Sequence, residues 1–222
     1  MLARTRPEGI HAVTLRGRTR DRILDAASDI VVNDGVAAAT PRAIASRAEL
    51  DEVEIHEVYA THEALLMDLL NREYEGIRRI VADNIERDPA GGLLSRIFRY
   101  SLGALHERPL ARALYLQDPQ SLNQIIRATH DTEFFPNMGA DRPFLESLQR
   151  AGMIRDDVEV GALTSFLSAY MAGVALIAPG TDVDEATAAL SLLLERGVDA
   201  EVADTEAGKR ALFDLLGRSA ES

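Results

Sequence analysis

The stretch TPRAIASRAELDEVEIHEVY, residues 40–59, decides the fold of this chain. Thr40 followed by Pro41 predicts a helix start, because threonine caps free backbone amides and proline fits the first helical position. Apolar residues then recur at helical spacing, and Asp51 begins a second short helix with the same period. Two short helices joined by a tight turn predict a helix-turn-helix motif.

The second helix of this motif has an inward and an outward face. Ile55 and Tyr59 lie four residues apart on one face, which we expect to pack on the rest of the motif. The N-terminal part of the second helix of such motifs enters the major groove of DNA. The predicted DNA-facing residues are Arg42, Glu52, Val53, His56, Glu57 and His62.

The charge of this second helix is the opposite of what DNA attracts. Residues 51–59 contain four acids and no Lys or Arg. Asp51 is a good N-cap, and Glu54 completes an acidic variant of a capping box, so two acids have a folding role. A negative charge about 7 Å from a phosphate costs roughly 0.6 kcal/mol in bulk water. Across residues 16–70, six Arg face eleven Asp and Glu, a net charge of −5 that disfavours conventional DNA binding.

The bulk composition predicts a soluble globular protein. The chain has 222 residues, 46% of them hydrophobic and 27% charged, which is ample for a buried core. The absence of cysteine excludes disulfides and thiolate metal sites and fits a reducing compartment, so we expect a cytoplasmic protein. No apolar run approaches the roughly 20 residues of a membrane helix, and no signal peptide is predicted.

The N-terminal residues are basic although the whole chain carries a net charge of −12. Residues 1–22 hold six Arg against two acids. We predict that residues 1–15 form a flexible basic arm that contacts phosphate, and the alternative is that they are only a solvated, disordered tail. Three further arginines are predicted to contact phosphate, namely Arg16, Arg18 and Arg20.

The remaining sequence also predicts helices, and the fold class is therefore all-α. A long helix runs from Thr61 to near Asp88 through an apolar stripe, and no alternating strand pattern is long enough to build a sheet. Further helices are predicted over 93–106, 110–116, 120–130, 143–151, 157–178, 183–196 and 206–217.

Residues 19–70, TRDRILDAASDIVVNDGVAAATPRAIASRAELDEVEIHEVYATHEALLMDLL, resemble the N-terminal domain of the tetracycline-repressor (TetR) family. The matching features keep the family's spacing without gaps. They are Arg22, Ile23, Leu24, Asp25, Ala26, Ala27 and Gly35, then Thr40, Ile44, Ala45, Arg47 and Ala48, then Ile55 and Tyr59, and finally Glu63, Ala64, Leu65 and Leu66. The departures lie at outward positions: Glu49 stands where the family usually has Gly, and His62 where Lys is common.

The resemblance implies a homodimer whose paired heads read a palindromic operator under control of a small molecule. The implied domains are a helix-turn-helix domain at 16–62 and a ligand-binding and dimerisation domain at 63–218. By family analogy, the helices near 157–178 and 183–217 form the dimer interface, and a purely internal core is the alternative. A small apolar or amphipathic effector is predicted to contact some of Tyr100, His106, Leu114, Tyr115, Phe166 and Tyr170, although each could simply belong to the core.

The sequence therefore predicts a TetR-like, ligand-responsive transcriptional repressor whose acidic recognition helix weakens operator binding. The alternative is a TetR-fold protein that has lost DNA binding and acts through a protein partner or a small molecule. An enzyme is not expected, because there is no cysteine, no Gly-rich phosphate loop and no His-x-x-x-His pattern. No cofactor or metal site is predicted.

Overall fold

The computed structural model describes residues 8–117, 141–177 and 183–218, and this part of the chain is helical without strands. Its helices are α1 (Glu8–Asp34), α2 (Pro41–Ala48), α3 (Glu52–Val58), α4 (His62–Arg87), α5 (Leu94–Glu107), α6 (Pro109–Ala111), α7 (Arg142–Arg150), α8 (Val160–Ile177), α9 (Val183–Gly197) and α10 (Glu206–Arg218). A 3₁₀ turn, Val36–Ala38, follows α1, and a π-helical segment, Arg112–Gln117, follows α6. The prediction of an all-α fold is confirmed.

Most predicted helix ends agree with the structure to within about three residues, and the main exception is the N-terminus. There the structure describes α1 from Glu8 onward, and the flexible basic arm over residues 1–15 stays a prediction. No proline interrupts the chain between Glu8 and Asp34, and the helix simply continues toward the N-terminus. The helix predicted at 120–130 lies outside the described residues.

The chain divides into two compact units between Arg72 and Glu73, within α4. We call the described residues 8–72 the head unit and those from Glu73 onward the bundle unit. The division falls ten residues after the predicted domain boundary, because the first turns of α4 bond to the head. Asp68 accepts from Tyr59, and Arg72 donates to Asp25. The functional assignment of each part stays a prediction.

The head unit is built around a small apolar core contributed by all four of its helices. Ile23 and Leu24 of α1, Ile44 of α2 and Leu65 of α4 are fully buried, and Ile55 of α3 joins them. Thr40 caps α2 through its hydroxyl, which accepts from the Ala43 amide at 3.3 Å. The start signal of the second helix therefore acts as the sequence predicts.

The bundle unit encloses a larger core and brings the end of α4 close to the start of α10. A Cβ on Gly92 would lie 2.0 Å from the Thr205 carbonyl oxygen, so only glycine permits this approach. The Thr205 hydroxyl donates to the Pro89 carbonyl at 2.7 Å. Lys209, the chain's only lysine, is buried beside this contact, and its ammonium donates to the Glu86 carbonyl and pairs with Glu206.

The bundle unit also contains a buried carboxyl group. Asp199 is 6% exposed and is paired with Ile154 through an isolated β-bridge. Its Oδ1 accepts from the amide of Ser95 in the first turn of α5, at 3.3 Å. Burial raises the pKa of Asp199, because these hydrogen bonds to α5 only partly compensate for lost hydration. None of the described helices is long and apolar enough to cross a membrane.

Candidate nucleic-acid interface

The helix α3 is stabilised at both ends by its own residues. Glu54 folds back so that its Oε2 accepts from the Asp51 amide at 2.9 Å, which is one half of the predicted capping box. The C-terminal end is closed by the Tyr59 amide, which donates to the Ile55 carbonyl at 2.8 Å. Glu54 therefore has a folding role, whereas Glu52 and Glu57 make no such bond in the described part of the chain.

The two faces of α3 differ as the spacing predicts. Ile55 and Tyr59 are buried, with 2% and 7% of their surface exposed. We call Glu52, Val53, His56 and Glu57 the outer face of α3; all four are exposed. Val53 has 67% of its surface exposed, which is unusual for a large apolar side chain. The structure thus places these residues at the surface, and their contact with DNA remains a prediction.

The turn before α3 contains the strained residue Glu49. Its φ of 54° is the only positive value of a non-glycine residue in the described chain. A left-handed conformation costs a residue with a side chain roughly 1–2 kcal/mol. Arg22 supports the turn from α1, because its guanidinium donates to the carbonyls of Ala48 at 2.5 Å and Glu49 at 3.2 Å. This arginine is therefore committed to the fold.

Arg20, one of the arginines predicted to contact phosphate, also bonds within the head unit. The Arg20 guanidinium donates to both carboxylate oxygens of Asp68, at 2.6 and 2.5 Å, and the Tyr59 hydroxyl donates to the same carboxylate at 2.5 Å. Burial acts to raise the pKa of Asp68, but the bonds from Arg20 and Tyr59 together outweigh it and lower that pKa. Burial, and then the bond to Asp68, raise the pKa of Tyr59.

Two more cations of the head unit pair with its own acids. Arg47 forms an ion pair with Asp29 and lies 3.9 Å from Asp34. Arg72 donates to Asp25 at 2.7 Å. These pairs join helices that are distant in sequence, so residue spacing gives no signal for them. These ion pairs neutralise arginines that a count of charges along the sequence would treat as available to bind phosphate.

Few cations remain free in the described head unit. Arg18 and Arg42 are exposed and have no hydrogen bond or ion pair there, and the side chain of Arg16 lies outside the described residues. Glu52, Glu57 and the other α3 acids have no cationic partner in the same part of the chain. His62 begins α4 partly buried, and its Nδ1 has no hydrogen-bond partner.

The predicted effector residues on α5 and the π-helical segment have different surroundings. Tyr100 is half-buried and its hydroxyl donates to Asp88 at 2.9 Å; burial raises its pKa. The His106 Nε2 lies 3.6 Å from Asp184, and its Nδ1 is buried without a partner. Leu114 is fully buried, whereas the side chain of Tyr115 lies outside the described residues.

The two predicted effector residues on α8 differ in their exposure. Tyr170 is partly buried among core residues, its hydroxyl has no hydrogen-bond partner, and burial raises its pKa. Phe166 is 51% exposed, and its contact with an effector stays a prediction. The helix turns this ring outward together with Ala162 and Ala169, because these positions follow the outer stripe of α8.

A similar outward face occurs on α9. Leu192 and Leu193 are exposed there, the latter with 64% of its surface, next to exposed alanines at 188 and 189. Neither face has a charged residue between its apolar positions.

The described residues hold no group of three or more side chains suited to a metal ion.

Neither a protein-family model nor a curated protein matches this sequence, whereas many solved structures match its fold. A transcriptional regulator from Saccharomonospora viridis, solved in complex with choline, is 20% identical with a TM-score of 0.61, covering 83% of this chain and all of that one. A TetR-family regulator from Mesorhizobium loti is 16% identical with a TM-score of 0.57, over 81% and 95% of the two chains. The superantigen PfiT is 15% identical with a TM-score of 0.57, over 83% and 97%.

These likenesses show the fold, which is that of TetR-family transcriptional regulators. The TetR-like all-α fold predicted from the sequence is thereby confirmed. The same fold occurs in a regulator and in a superantigen, so the architecture alone does not decide the function.

Proposed function

We propose that this chain is a homodimeric, ligand-responsive transcriptional repressor in which the outer face of α3 makes conventional operator binding weak. One observation carries the proposal. The helix-turn-helix frame is intact, yet Arg20, Arg22 and Arg47 bond within the head unit while Glu52 and Glu57 face solvent unpaired. Phosphate contacts supply most non-specific DNA affinity, and here few free cations remain to make them.

The dimer in this proposal forms through the outward faces of α8 and α9. Phe166, Leu192 and Leu193 would lose their exposure against the same residues of a second copy. Exposed alanines beside them allow close helix approach. A stable pair of this kind buries more than about 1,000 Å² in total.

The effector in this proposal binds within the bundle unit and is small and amphipathic. The Tyr170 hydroxyl and the His106 Nδ1 are buried polar atoms without a partner, and such atoms are costly unless something bonds to them. An effector with an apolar body and hydrogen-bonding groups would supply these partners. The choline complex of the Saccharomonospora viridis regulator supports a small-molecule site in this fold.

A second candidate function follows from the same charge distribution. A chain that has lost DNA binding could use the outer face of α3 to bind a protein with a basic surface. Val53, exposed between Glu52 and His56, would then be the apolar centre of an acidic contact. The fold's occurrence in the superantigen PfiT shows that it is not restricted to regulators.

The test compares the wild-type protein with the double variant Glu52→Lys/Glu57→Gln. The control, Asp156→Lys/Glu201→Gln, makes the same change in net charge at exposed residues of the bundle unit. Binding to random-sequence duplex DNA is measured at several salt concentrations. We expect the α3 variant to bind at least about ten-fold more tightly than both other proteins, with a steeper salt dependence, because new phosphate contacts release counterions.

Selection of genomic fragments at low salt separates the two functions. A weak but sequence-selective operator supports the repressor, whereas no selected fragment favours the protein-binding alternative. A wild-type Kd of about 10⁻⁸ M or tighter for a defined operator in physiological salt would contradict the charge argument itself.

A further inference from the structure

A buried ion pair joins α4 to the start of α6 in the bundle unit. Glu73 has 5% of its surface exposed, and its carboxylate accepts three hydrogen bonds. Two come from Arg108, Nε at 2.8 Å and Nη2 at 2.6 Å, and the third from the Ala111 amide at 3.1 Å. The carboxylate is thus fully engaged, which is the condition for burying a charge without a large penalty.

The backbone of α4 is shaped to accept the guanidinium of this pair. Gly76 lies one turn after Glu73, and a Cβ at that position would come within 2.5 Å of the Arg108 Cζ. A side chain at position 76 would require the Arg108 guanidinium to shift from this position. Gly76 therefore provides room for the ion pair in its observed geometry.

The third hydrogen bond caps the beginning of a helix. The first amides of a helix have no acceptor within the helix, and the Ala111 amide belongs to the first turn of α6, which starts at Pro109. Glu73 therefore caps α6 from a different helix. Its negative charge also lies at the end of α6 where the helix dipole favours an anion.

The segment that follows this cap has an uncommon geometry. Arg112–Gln117 is π-helical, and such segments are rare because their hydrogen bonds are less favourable than those of an α-helix. Loss of the π-turn would move later side chains by about one residue position, roughly 100° around the axis. The buried Leu114 lies in this segment, so its place in the core depends on where the π-turn begins.

We propose that Glu73 and Arg108 are positioning residues of the effector site. They fix the start of the π-helical segment and thereby the orientation of Leu114, a predicted effector contact. The role at the effector site rests on the proposed function, whereas the positioning of the segment does not. Neither residue is required to touch the effector.

The test uses the full chain without effector. Glu73→Ala removes the ion pair and the cap, and Glu73→Gln keeps an acceptor for the Ala111 amide but removes the charge. The control is Glu75→Gln, which removes the exposed carboxylate that pairs with Arg78 on the same helix. Amide hydrogen exchange is measured over residues 109–117 and over α9, together with the methyl NMR resonances of Leu114.

We expect Glu73→Ala to speed exchange at residues 112–117 at least ten-fold more than in α9 and to move the Leu114 resonances. The control should change neither, and Glu73→Gln should lie between them. Equal acceleration throughout the bundle, or an unchanged segment, would overturn the positioning role. If Glu73→Ala does not fold, Glu73→Gln decides by the same criteria. These outcomes are independent of the DNA experiments, so failure of the proposed repressor function remains distinguishable.

Discussion

The head unit and the bundle unit each contain a partly or fully buried carboxyl group, and their surroundings shift its pKa in opposite directions. In the head unit, Asp68 is held by Arg20 and Tyr59, and these bonds lower its pKa despite burial. In the bundle unit, Asp199 accepts from a backbone amide and has no cation as a partner among the described residues. Its Oδ2 has no hydrogen bond there, and burial raises its pKa. A cation thus stabilises the charged form of Asp68, whereas burial favours the neutral form of Asp199.

The same difference extends to the outer surfaces of the two units. Four of the head unit's arginines bond internally, and the exposed Glu52 and Glu57 have no cationic partner in the described part of the chain, so the outer face of α3 is acidic. The bundle unit instead leaves apolar side chains outward on α8 and α9, such as Phe166 and Leu193. An apolar face gains free energy when a partner covers it, whereas an acidic face gains only from a partner of opposite charge. The two surfaces therefore call for different partners.

The largest effect is expected at the apolar face of the bundle unit. Leu193→Glu places a charge in each half of a two-fold interface and should weaken dimerisation at least about 100-fold, because an unpaired buried charge is very unfavourable. Sedimentation velocity at micromolar concentration measures the change. The control is Val202→Glu, at an exposed apolar residue outside α8 and α9, which should leave the dimer intact. Wild-type protein that sediments only as a 24.2 kDa species would refute the dimer.

An intermediate effect is expected from Asp68→Asn in the head unit. The variant loses charge-assisted bonds to Arg20 and Tyr59, and we expect unfolding to become easier by about 2 kcal/mol at pH 7. The control is Asp21→Asn, at an exposed residue next to Arg20 whose side chain has no hydrogen bond in the described part of the chain. Its free energy of unfolding should change by less than about 0.5 kcal/mol. Urea unfolding measures both.

The pH dependence of the Asp68 effect has a definite sign. The folded state lowers the pKa of Asp68, so its stabilisation is fully present above the unfolded-state pKa of about 3.9. The stabilisation is lost as the pH falls through the lower, folded-state pKa. The difference between wild type and Asp68→Asn should therefore shrink below about pH 4. A difference that stays constant down to pH 2 would show that the carboxylate charge is not responsible.

The smallest effect is expected from Asp199→Asn, and its pH dependence is opposite. Asparagine keeps an oxygen that accepts from the Ser95 amide and removes the buried charge. At pH 7 we expect the free energy of unfolding of the variant to equal that of the wild type or to exceed it by up to about 1 kcal/mol. The folded state raises the pKa of Asp199, so wild-type stability falls as the pH rises through that pKa. Urea unfolding at pH 4 and pH 7 should show the advantage of the variant only at pH 7; a less stable variant at pH 7 would contradict the prediction.

The parts of this molecule that sequence predicts well are local. The caps at Thr40 and Glu54 and the burial of Ile55 and Tyr59 follow from spacings of three or four residues, and the structure confirms them. These features depend on helix geometry, which is the same wherever the helix lies in the fold.

The parts that sequence does not predict depend on contacts between distant residues. Arg20 and Asp68 are 48 residues apart, so counting charges treats the arginine as free for phosphate. Glu73 and Arg108 are 35 residues apart. No sequence pattern predicts the π-helical segment that follows Arg108. The helical stripe that contains Phe166 indicates an apolar contact but does not say whether the same chain or a second copy provides it.

The burial of Lys209 has a practical consequence for the chemistry of this chain. Reagents that bridge proteins or fix them to DNA commonly react with the lysine amine, and here the single lysine has its ammonium bonded to Glu86 and Glu206. These reagents modify arginine poorly, and the chain has 23 arginines. Acetylation likewise has no exposed lysine side chain on which to act. Cross-linking of this protein should therefore be directed at its abundant carboxylates.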